Sequence, residues 1–408
     1  MEIEIRPFAG DVADYGRVTG LAFNGNPERD PEDNELFAAL FEAERALGAY
    51  ERDQAVGVAG IETMQLTVPG GQLPAAGVTA VAVLPTHRRR GILTALMRRQ
   101  LRDVHEREEP IAALWASEGA IYQRFGYGLG TFFTGIEVER RWVTFRPGDL
   151  PLGRVRLAPP AEARRIIPEI HDRVAPTRPG FFSRSPAFWE AEVFFDPPRY
   201  RGGGGPMLFA IHETDGRPDG YLRYRMTPEW VLRGPNGTLS AMELVGENPA
   251  ATRALWEYAF GVDLVVTVRA RPLPADTPLL WMVTEPRRLG ATLGDGLWLR
   301  VIDVAAALEA RSYAAEANIV LQLHDRLCDW NDGRWALELT PDGARVAPTD
   351  REPQLVLEAA DLAAIYLGGT SVGQLLAAGR GEERAPGAAG RLDAALRTSV
   401  APWCPVIF

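Results

Sequence analysis

The chain has 408 residues, 46% hydrophobic and 24% charged. That is the make-up of a globular protein, too long for one core and so expected to hold two or three domains. No apolar run reaches the roughly 20 residues that a membrane-spanning helix needs. The opening Met1-Glu2-Ile3-Glu4-Ile5 is acidic and strand-like, unlike a secretory signal, and a cytoplasmic protein is expected. The net charge is −10 and every basic side chain is an arginine. That disfavours a nucleic-acid binder, excludes a catalytic lysine and would attract a cationic small molecule. Two distant cysteines, Cys328 and Cys404, read as buried thiols, and five scattered histidines show no metal-binding spacing.

Residues 1–147 are expected to form the first domain. Ile3 to Pro7 reads as an edge strand, Tyr15 to Phe23 as a helix, and the breaker-rich Asn24 to Asn34 as a loop whose carboxylates could meet an amine. Leu36 to Leu47 has helical spacing. Ala55 to Glu62 and Met64 to Val68 read as strands before a Pro69-Gly70-Gly71 turn. Then Val78-Thr79-Ala80-Val81-Ala82-Val83 forms an apolar strand, Pro85-Thr86-His87-Arg88-Arg89-Arg90-Gly91 a basic turn, and Ile92-Leu93-Thr94 begins a helix. The turn stands at a helix N-terminus, where unpaired N–H groups and the helix dipole favour an anion. Gly91 has no Cβ to hold a ligand off the backbone, and arginine forks suit phosphate oxygens. This reads as a pyrophosphate cradle. Ile111 to Ser117 is the next strand, Glu118 to Tyr127 follows it, and Thr134 to Trp142 supplies a further strand.

A boundary is expected near Pro147-Gly148-Asp149-Leu150-Pro151, opening a second segment over 148–295. Val155 to Leu157 is strand-like and Ala161 to Val174 helical. Gly202 to Gly205 reads as a hairpin tip, because the strand Met207 to Ile211 follows it and not a helix. Leu239 to Val245, Gly246-Glu247-Asn248-Pro249 and the helix Pro249 to Phe260 repeat the strand–turn–helix order of the first domain. This second turn has no arginine cluster, and Glu247 would repel phosphate. Residues 296–408 read as one α+β module, with a helix from Val304 to Arg311, a strand pair about Pro341-Asp342-Gly343, a strand at Leu355 to Leu357, and helices at 361–366, 372–378 and 391–397. The apolar ending Pro402-Trp403-Cys404-Pro405-Val406-Ile407-Phe408 is expected to be buried.

Two motifs carry a resemblance. Arg88 to Gly91, entered from a strand, resembles the acetyl-coenzyme A loop of the GNAT N-acetyltransferases, and Tyr122, three residues before Phe125-Gly126, resembles that superfamily's second signature. Over nearly the whole chain the resemblance is to the Eis-like (enhanced intracellular survival) acetyltransferases. It is carried by the stretch from Val81 to Gly91, by Ala116-Ser117-Glu118-Gly119 with Tyr122 and Phe125 to Gly128, by Asp295 to Arg300, by Ala306 to Arg311, and by the terminal Phe408.

The resemblance implies an α+β chain of two tandem GNAT-like domains followed by a sterol-carrier-like domain, assembled as a homo-hexamer. It implies acetyl-coenzyme A as co-substrate and an amine acceptor, either an aminoglycoside-like polyamine or a lysine side chain. Backbone groups of Val81, Ala82 and Val83 would hold the pantetheine arm. Arg89, Arg90, Gly91, Ile92, Leu93 and Thr94 would wrap the pyrophosphate with Arg88 beside them, and Ser117 and Glu118 would close over it. Tyr122 matches the general acid that protonates the departing thiolate, and the C-terminal carboxylate of Phe408 is the expected base. Some aminoglycoside-modifying relatives have an acidic residue next to last where this chain has Ile407. Losing that carboxylate beside the acceptor would weaken attraction to a polycation, and Trp115, on the strand lining the pocket, points to an altered pocket shape. Two other readings stand beside this one: a lipid-binding or scaffold protein using the sterol-carrier-like domain, and a protein lysine acetyltransferase.

Overall fold

The computed structural model describes residues 3–26, 30–151 and 153–408. Two seven-stranded sheets and a five-stranded sheet organise them. The first sheet runs, in order, Glu4–Pro7, Leu47–Glu51, Gln54–Val68, Gly71–Val83, Ile111–Trp115, Leu297–Val301 and Gly128–Leu129. The second runs Thr292–Asp295, Phe132–Glu139, Val265–Pro274, Gly237–Gly246, Arg217–Thr227, Met207–Thr214 and Arg154–Ala158. The third has Ala317–His324 at its centre, flanked by Gly333–Thr340 and Leu355–Glu358. Among the described residues no helix is long and apolar enough to cross a membrane.

The two large sheets exchange strands. Phe132–Glu139, which follows the first domain's motifs in sequence, pairs with Val265–Pro274 in the second sheet. Leu297–Val301, which the sequence places at the head of the C-terminal module, returns to the first sheet and pairs antiparallel with Ile111–Trp115. An apolar strand carries no mark of the sheet it will join, so sequence pattern alone does not reveal this exchange. One core cluster correspondingly draws residues from all three sheets, including Leu66, Ala113, Phe182, Tyr221, Leu299, Leu321 and Trp403.

Several element boundaries differ from the sequence reading. A helix spans Pro31–Leu40 and takes in the second part of the expected 24–34 loop. Proline at its first position and the acidic first turn of Glu32 and Asp33 explain the start. Pro27-Glu28-Arg29 of that loop lies outside the described residues. The helix expected to run to Leu47 stops at Leu40, because Phe41 is extended and the chain then enters the strand Leu47–Glu51. The two strands expected between Ala55 and Val68 are one continuous strand. The central strand Ala317–His324 was not anticipated, although its burial alternates with its sequence at Ala317, Ile319, Leu321 and Leu323. The Asn248 cap is present: its side chain accepts from Ala251 N at 2.8 Å at the start of the helix Pro249–Gly261.

One buried charge pair joins the first sheet to the C-terminal module. Arg300, on the exchanged strand and fully buried, donates through Nη2 to both carboxylate oxygens of Asp325 at 2.7 Å. Asp325 also accepts from the backbone N–H groups of Leu327 and Cys328. Gly126 (φ 82°) makes room for this arginine, since a Cβ there would lie 2.8 Å from the Arg300 guanidinium carbon. Arg300→Ala would leave Asp325 buried and unpaired, at a cost of roughly 3–5 kcal/mol. The expected result is a clear fall in the thermal unfolding midpoint, measured by calorimetry.

Candidate active site

The site begins where two neighbouring strands part. Gly71–Val83 and Ile111–Trp115 are parallel and pair only through Ala75–Ile111, Ala76–Ala112 and Gly77–Ala113. Beyond Gly77, the edge of Val78–Val83 that faces Ile111–Trp115 has no strand partner among the described residues. Its N–H and C=O groups are left for something else to satisfy. Local irregularity helps the strands diverge. The register against Gln54–Val68 shifts between Val58 and Gly60, and Ala80 takes a left-handed φ of 51° that L-residues seldom adopt. The Ala80 carbonyl accepts from the Tyr15 hydroxyl at 3.3 Å. Ala82 is buried, and Val81 and Val83 are half-buried, so the three present backbone along the wedge.

At the mouth of the wedge a short 3₁₀ turn, Pro85–His87, leads to Gly91, which caps the helix Ile92–Glu106. Arg89 (φ 62°) and Gly91 (φ 80°) are both left-handed. Nothing lies within 4 Å of the place where a Gly91 Cβ would be. Ile92 is buried and anchors the first turn, with Leu93 and Thr94 half-buried beside it. The three arginines divide their work. Arg90 donates to Glu51 at 2.8 Å, and His87 stands 3.3 Å from the same carboxylate; together they hold Glu51 below the usual carboxylate range. Arg88 turns toward Ala22 and donates to its carbonyl at 2.9 Å. Arg89 is exposed and, among the described residues, in no ion pair. The corresponding turn of the second sheet is closed: Glu247 pairs with Arg173 at 2.5 Å and Arg217 at 2.8 Å, and the Asn248 side chain caps the helix.

Tyr122 ends the short helix Gly119–Tyr122, just after the exposed Ser117 and Glu118. It is 7% exposed and packs with Ala76, Val78, Ala112 and Leu114 on the face of the sheet covered by Ile92–Glu106. Burial raises its hydroxyl above the ordinary phenol value, so it stays protonated across the neutral range. Tyr127 stands edge-on to it at 5.9 Å. It is fully buried, with its hydroxyl unpartnered among the described residues, and suits core packing better than proton exchange with a ligand.

The opposite face of the same sheet holds a cavity of about 300 Å³, lined by Leu40, Phe41, Glu42, Glu62, Met64, Ser183, Arg184 and Phe188. The segment 180–183 runs beside Gln54–Val68, with Thr67 N donating to Phe181 O and Ser183 N to Gln65 O. The chain end docks against it: Trp403 N donates to Pro179 O, Cys404 is buried, and the half-buried Phe408 ring meets Phe182 edge-on at 5.1 Å. Trp115 and Phe408 both pack on this core. Ile407 is exposed. The expected burial of the C-terminal tail therefore holds for Trp403, Cys404 and Val406 and fails at Ile407.

The structure brings together the wedge, the cradle and Tyr122 on one face and the chain terminus on the other. It does not bring the acidic residues around 30–33 to the cavity as lining residues. Asp30, Glu32 and Asp33 pair with Arg199, and Asp33 also accepts from the Tyr200 hydroxyl at 2.7 Å. Two features escaped the sequence reading. Glu62 lines the cavity, and its signal was a charge at the same strand parity as the apolar Met64 and Leu66. The buried pair Arg184–Glu243 at 2.6 Å joins residues far apart in sequence and leaves no local pattern. Among the described residues no group of three or more His, Cys, Asp or Glu side chains could hold a metal ion.

A parallel strand pair opening over a glycine-capped helix is the architecture of a GNAT acyltransferase, and comparison with known proteins agrees. Models of the acetyltransferase (GNAT) domain match residues 5–130 and 180–301, and the sterol carrier protein domain matches 304–405. An uncharacterized N-acetyltransferase of Streptomyces avermitilis is 42% identical over 387 residues, 94% of each chain. N-acetyltransferase Eis of Mycobacterium tuberculosis is 36% identical over 362 residues, 86% of each. The crystal structure of Eis1 from Mycobacterium abscessus superposes with a TM-score of 0.84 at 34% identity, covering 99% of this chain and all of that one. The protein belongs to the Eis-like N-acetyltransferases: two GNAT domains followed by a sterol-carrier domain.

Gly91→Val would place a β-branched side chain at φ 80° in the open space of the cradle. Acetyl-coenzyme A affinity, measured by calorimetric titration, is expected to fall at least roughly tenfold, with strain and lost access acting together. The unfolding midpoint should fall as well, by the cost of the strained backbone alone (roughly 1–3 kcal/mol), since nothing packs there.

Proposed function

We propose that the protein transfers the acetyl group of acetyl-coenzyme A directly to a primary amine, with no covalent enzyme intermediate. The observation that carries this reading is the parting of two parallel strands after Gly77, with the glycine-capped helix on one face of the sheet and the cavity on the other. The backbone of Val81, Ala82 and Val83 would hold the pantetheine arm. Arg89 and the N–H groups from Gly91 to Thr94 would take the pyrophosphate, with Arg90 braced by Glu51, and with Ser117 and Glu118 closing the near side. Bound there, acetyl-coenzyme A supplies an activated thioester.

Tyr122 donates its phenolic proton to the leaving sulfur. A phenol whose value is raised by burial is a reluctant acid in the resting state but a good partner for a thiolate with a pKa near 8.5. The C-terminal carboxylate of Phe408, docked by its ring on Phe182, accepts a proton from the amine. Acidic side chains at the cavity and the net charge of −10 favour a cationic acceptor, in this reading an aminoglycoside-like polyamine or a lysine side chain. The reading extends to a cytoplasmic homo-hexamer, taken from the family resemblance. The sterol-carrier domain serves here as a scaffold: its core is filled by Ile319, Leu321, Tyr366 and Leu392, all buried, and its last residues reach the acceptor face.

Tyr122→Phe is expected to lower kcat by roughly 10²-fold or more while acetyl-coenzyme A binds unchanged. Near-normal turnover would remove Tyr122 from this role. A chain extended past Phe408 should likewise lose turnover on a panel of aminoglycosides, polyamines and lysine peptides, followed by thiol release. Equal rates with native and extended ends would move that proton acceptor elsewhere.

A further inference from the structure

Glu62 is an ionisable group beside the wedge that the steps above leave idle. It lies in the strand Gln54–Val68 directly opposite Gly77. Gly77 is the last residue of its strand to pair with Ile111–Trp115, through Ala113. Directly opposed residues of an antiparallel pair project from the same face, about 5 Å apart. The Glu62 side chain thus leaves the sheet one strand away from the apex of the wedge, on the face it shares with Met64. Gly77 puts no side chain between them, and a Cβ there would lie 2.8 Å from the Met64 sulfur. Glu62 lines the acceptor-face cavity with Phe41, Met64, Ser183 and Phe188, is half-buried, and makes no hydrogen bond or ion pair among the described residues.

We propose that Glu62 is a catalytic base of the transfer, receiving the proton that the acceptor's ammonium must lose before its nitrogen can attack. This rests on reading the cavity as the acceptor site. The chemistry requires two protons to leave nitrogen, and the terminal carboxylate provides for one. In the balanced step the ammonium gives its first proton to the Glu62 carboxylate. The freed lone pair forms the C–N bond as the thioester C–S bond breaks, the sulfur leaves with the Tyr122 proton, and the second nitrogen proton passes to the Phe408 carboxylate. One of the two collected protons then restores Tyr122 through solvent and the other is released. Each turnover converts an ammonium and a thioester into an amide, a thiol and one proton.

The surroundings fit such a role. Burial, reinforced by the Glu192 and Glu42 carboxylates, pushes Glu62 up to about 8. The cations nearby are already engaged: Arg184 with Glu243, Arg45 with Glu109, and Arg223 with the Val193 and Glu192 carbonyls. Glu42 accepts from the Thr63 backbone and hydroxyl at 2.6 Å, and Glu192 is not among the residues lining the cavity, which leaves Glu62 as the uncommitted carboxylate of the cavity wall. A cation entering the cavity favours its ionised form. A base works when deprotonated. In the free enzyme kcat/KM should therefore rise with pH through about 8, whereas the corresponding limb of kcat, which reports the loaded enzyme, should lie at lower pH.

The test uses the full-length protein, acetyl-coenzyme A and spermidine. Glu62→Gln is expected to lower kcat by roughly 10²-fold and to abolish the limb near 8, with acetyl-coenzyme A affinity and unfolding midpoint unchanged. Glu62→Asp should recover part of the rate and restore an ionising limb. Independently of turnover, the Glu62 carboxyl followed by ¹³C NMR should titrate near 8 in the free protein. With spermidine bound it should titrate about one unit lower or more. A Gln variant that keeps its rate and its pH limb, or a carboxyl whose titration spermidine does not move, would overturn the assignment to Glu62. A wild-type protein that binds acetyl-coenzyme A but acetylates none of the amines in the panel would instead overturn the acceptor reading beneath it.

Discussion

The structure depends on one break in hydrogen bonding: the parting of Gly71–Val83 from Ile111–Trp115 after three paired residues. Unpaired backbone inside a protein is costly unless something else satisfies it, so the fold has to hold the strands apart. Three features do so. Gly71–Val83 is pinned on its far side by the long antiparallel partner Gln54–Val68, which absorbs the irregularity in a register shift. Ile111–Trp115 is pinned on its far side by Leu297–Val301, a strand that arrives from the other end of the GNAT pair. The left-handed Ala80, tied by its carbonyl to Tyr15, turns the free edge of its strand. The gap is thereby a fixed part of the fold, with one face toward the helix Ile92–Glu106 and the other toward the second domain and the chain end.

That arrangement explains why a transferase of this size uses so much chain for one site. The exchanged strand Leu297–Val301 carries Arg300, whose buried pair with Asp325 reaches into the C-terminal module. The same arginine occupies the space left by Gly126, four residues after Tyr122. The C-terminal module in turn sends its last residues back across 179–182 to the cavity side of the sheet. Tyr122 and Phe408 are therefore positioned, from opposite faces, by the same contacts that join the three parts. A buried pair of this kind contributes more to holding one arrangement than to net stability.

The legible part of the sequence was local. The strand, turn and helix of Val78 to Met97 and the strand and short helix that carry Tyr122 read correctly as elements, because strand length, Gly91 and helical spacing are all expressed within a few residues. The strand–turn–helix order of the second turn also read correctly, and its Glu247 and Asn248 stand in plain view, Glu247 pairing with Arg173 and Arg217 and Asn248 capping the helix. What could not be read were relations between distant segments. The strand exchange has no local mark, Arg184–Glu243 joins residues 59 apart, and the acidic residues at 30–33 find Arg199 more than a hundred and sixty positions away. The helix Pro31–Leu40 was missed for a different reason: proline and acidic residues look like loop by composition, yet they favour the first turn of a helix. Glu62 was visible as a charge on an apolar strand face, but its meaning depends on lying opposite Gly77, which only the register supplies.

The measurement that bears most directly on this account is a crystal structure of the protein with coenzyme A bound. The pantetheine arm should pass between Val78–Val83 and the end of Ile111–Trp115, with the pyrophosphate on the Gly91 turn and the sulfur within hydrogen-bonding distance of the Tyr122 hydroxyl. The cavity beside Glu62 should remain free for an acceptor. A cofactor lying across the acceptor face, or seated against the Gly246 to Pro249 turn of the second domain with the wedge left empty, would contradict the account.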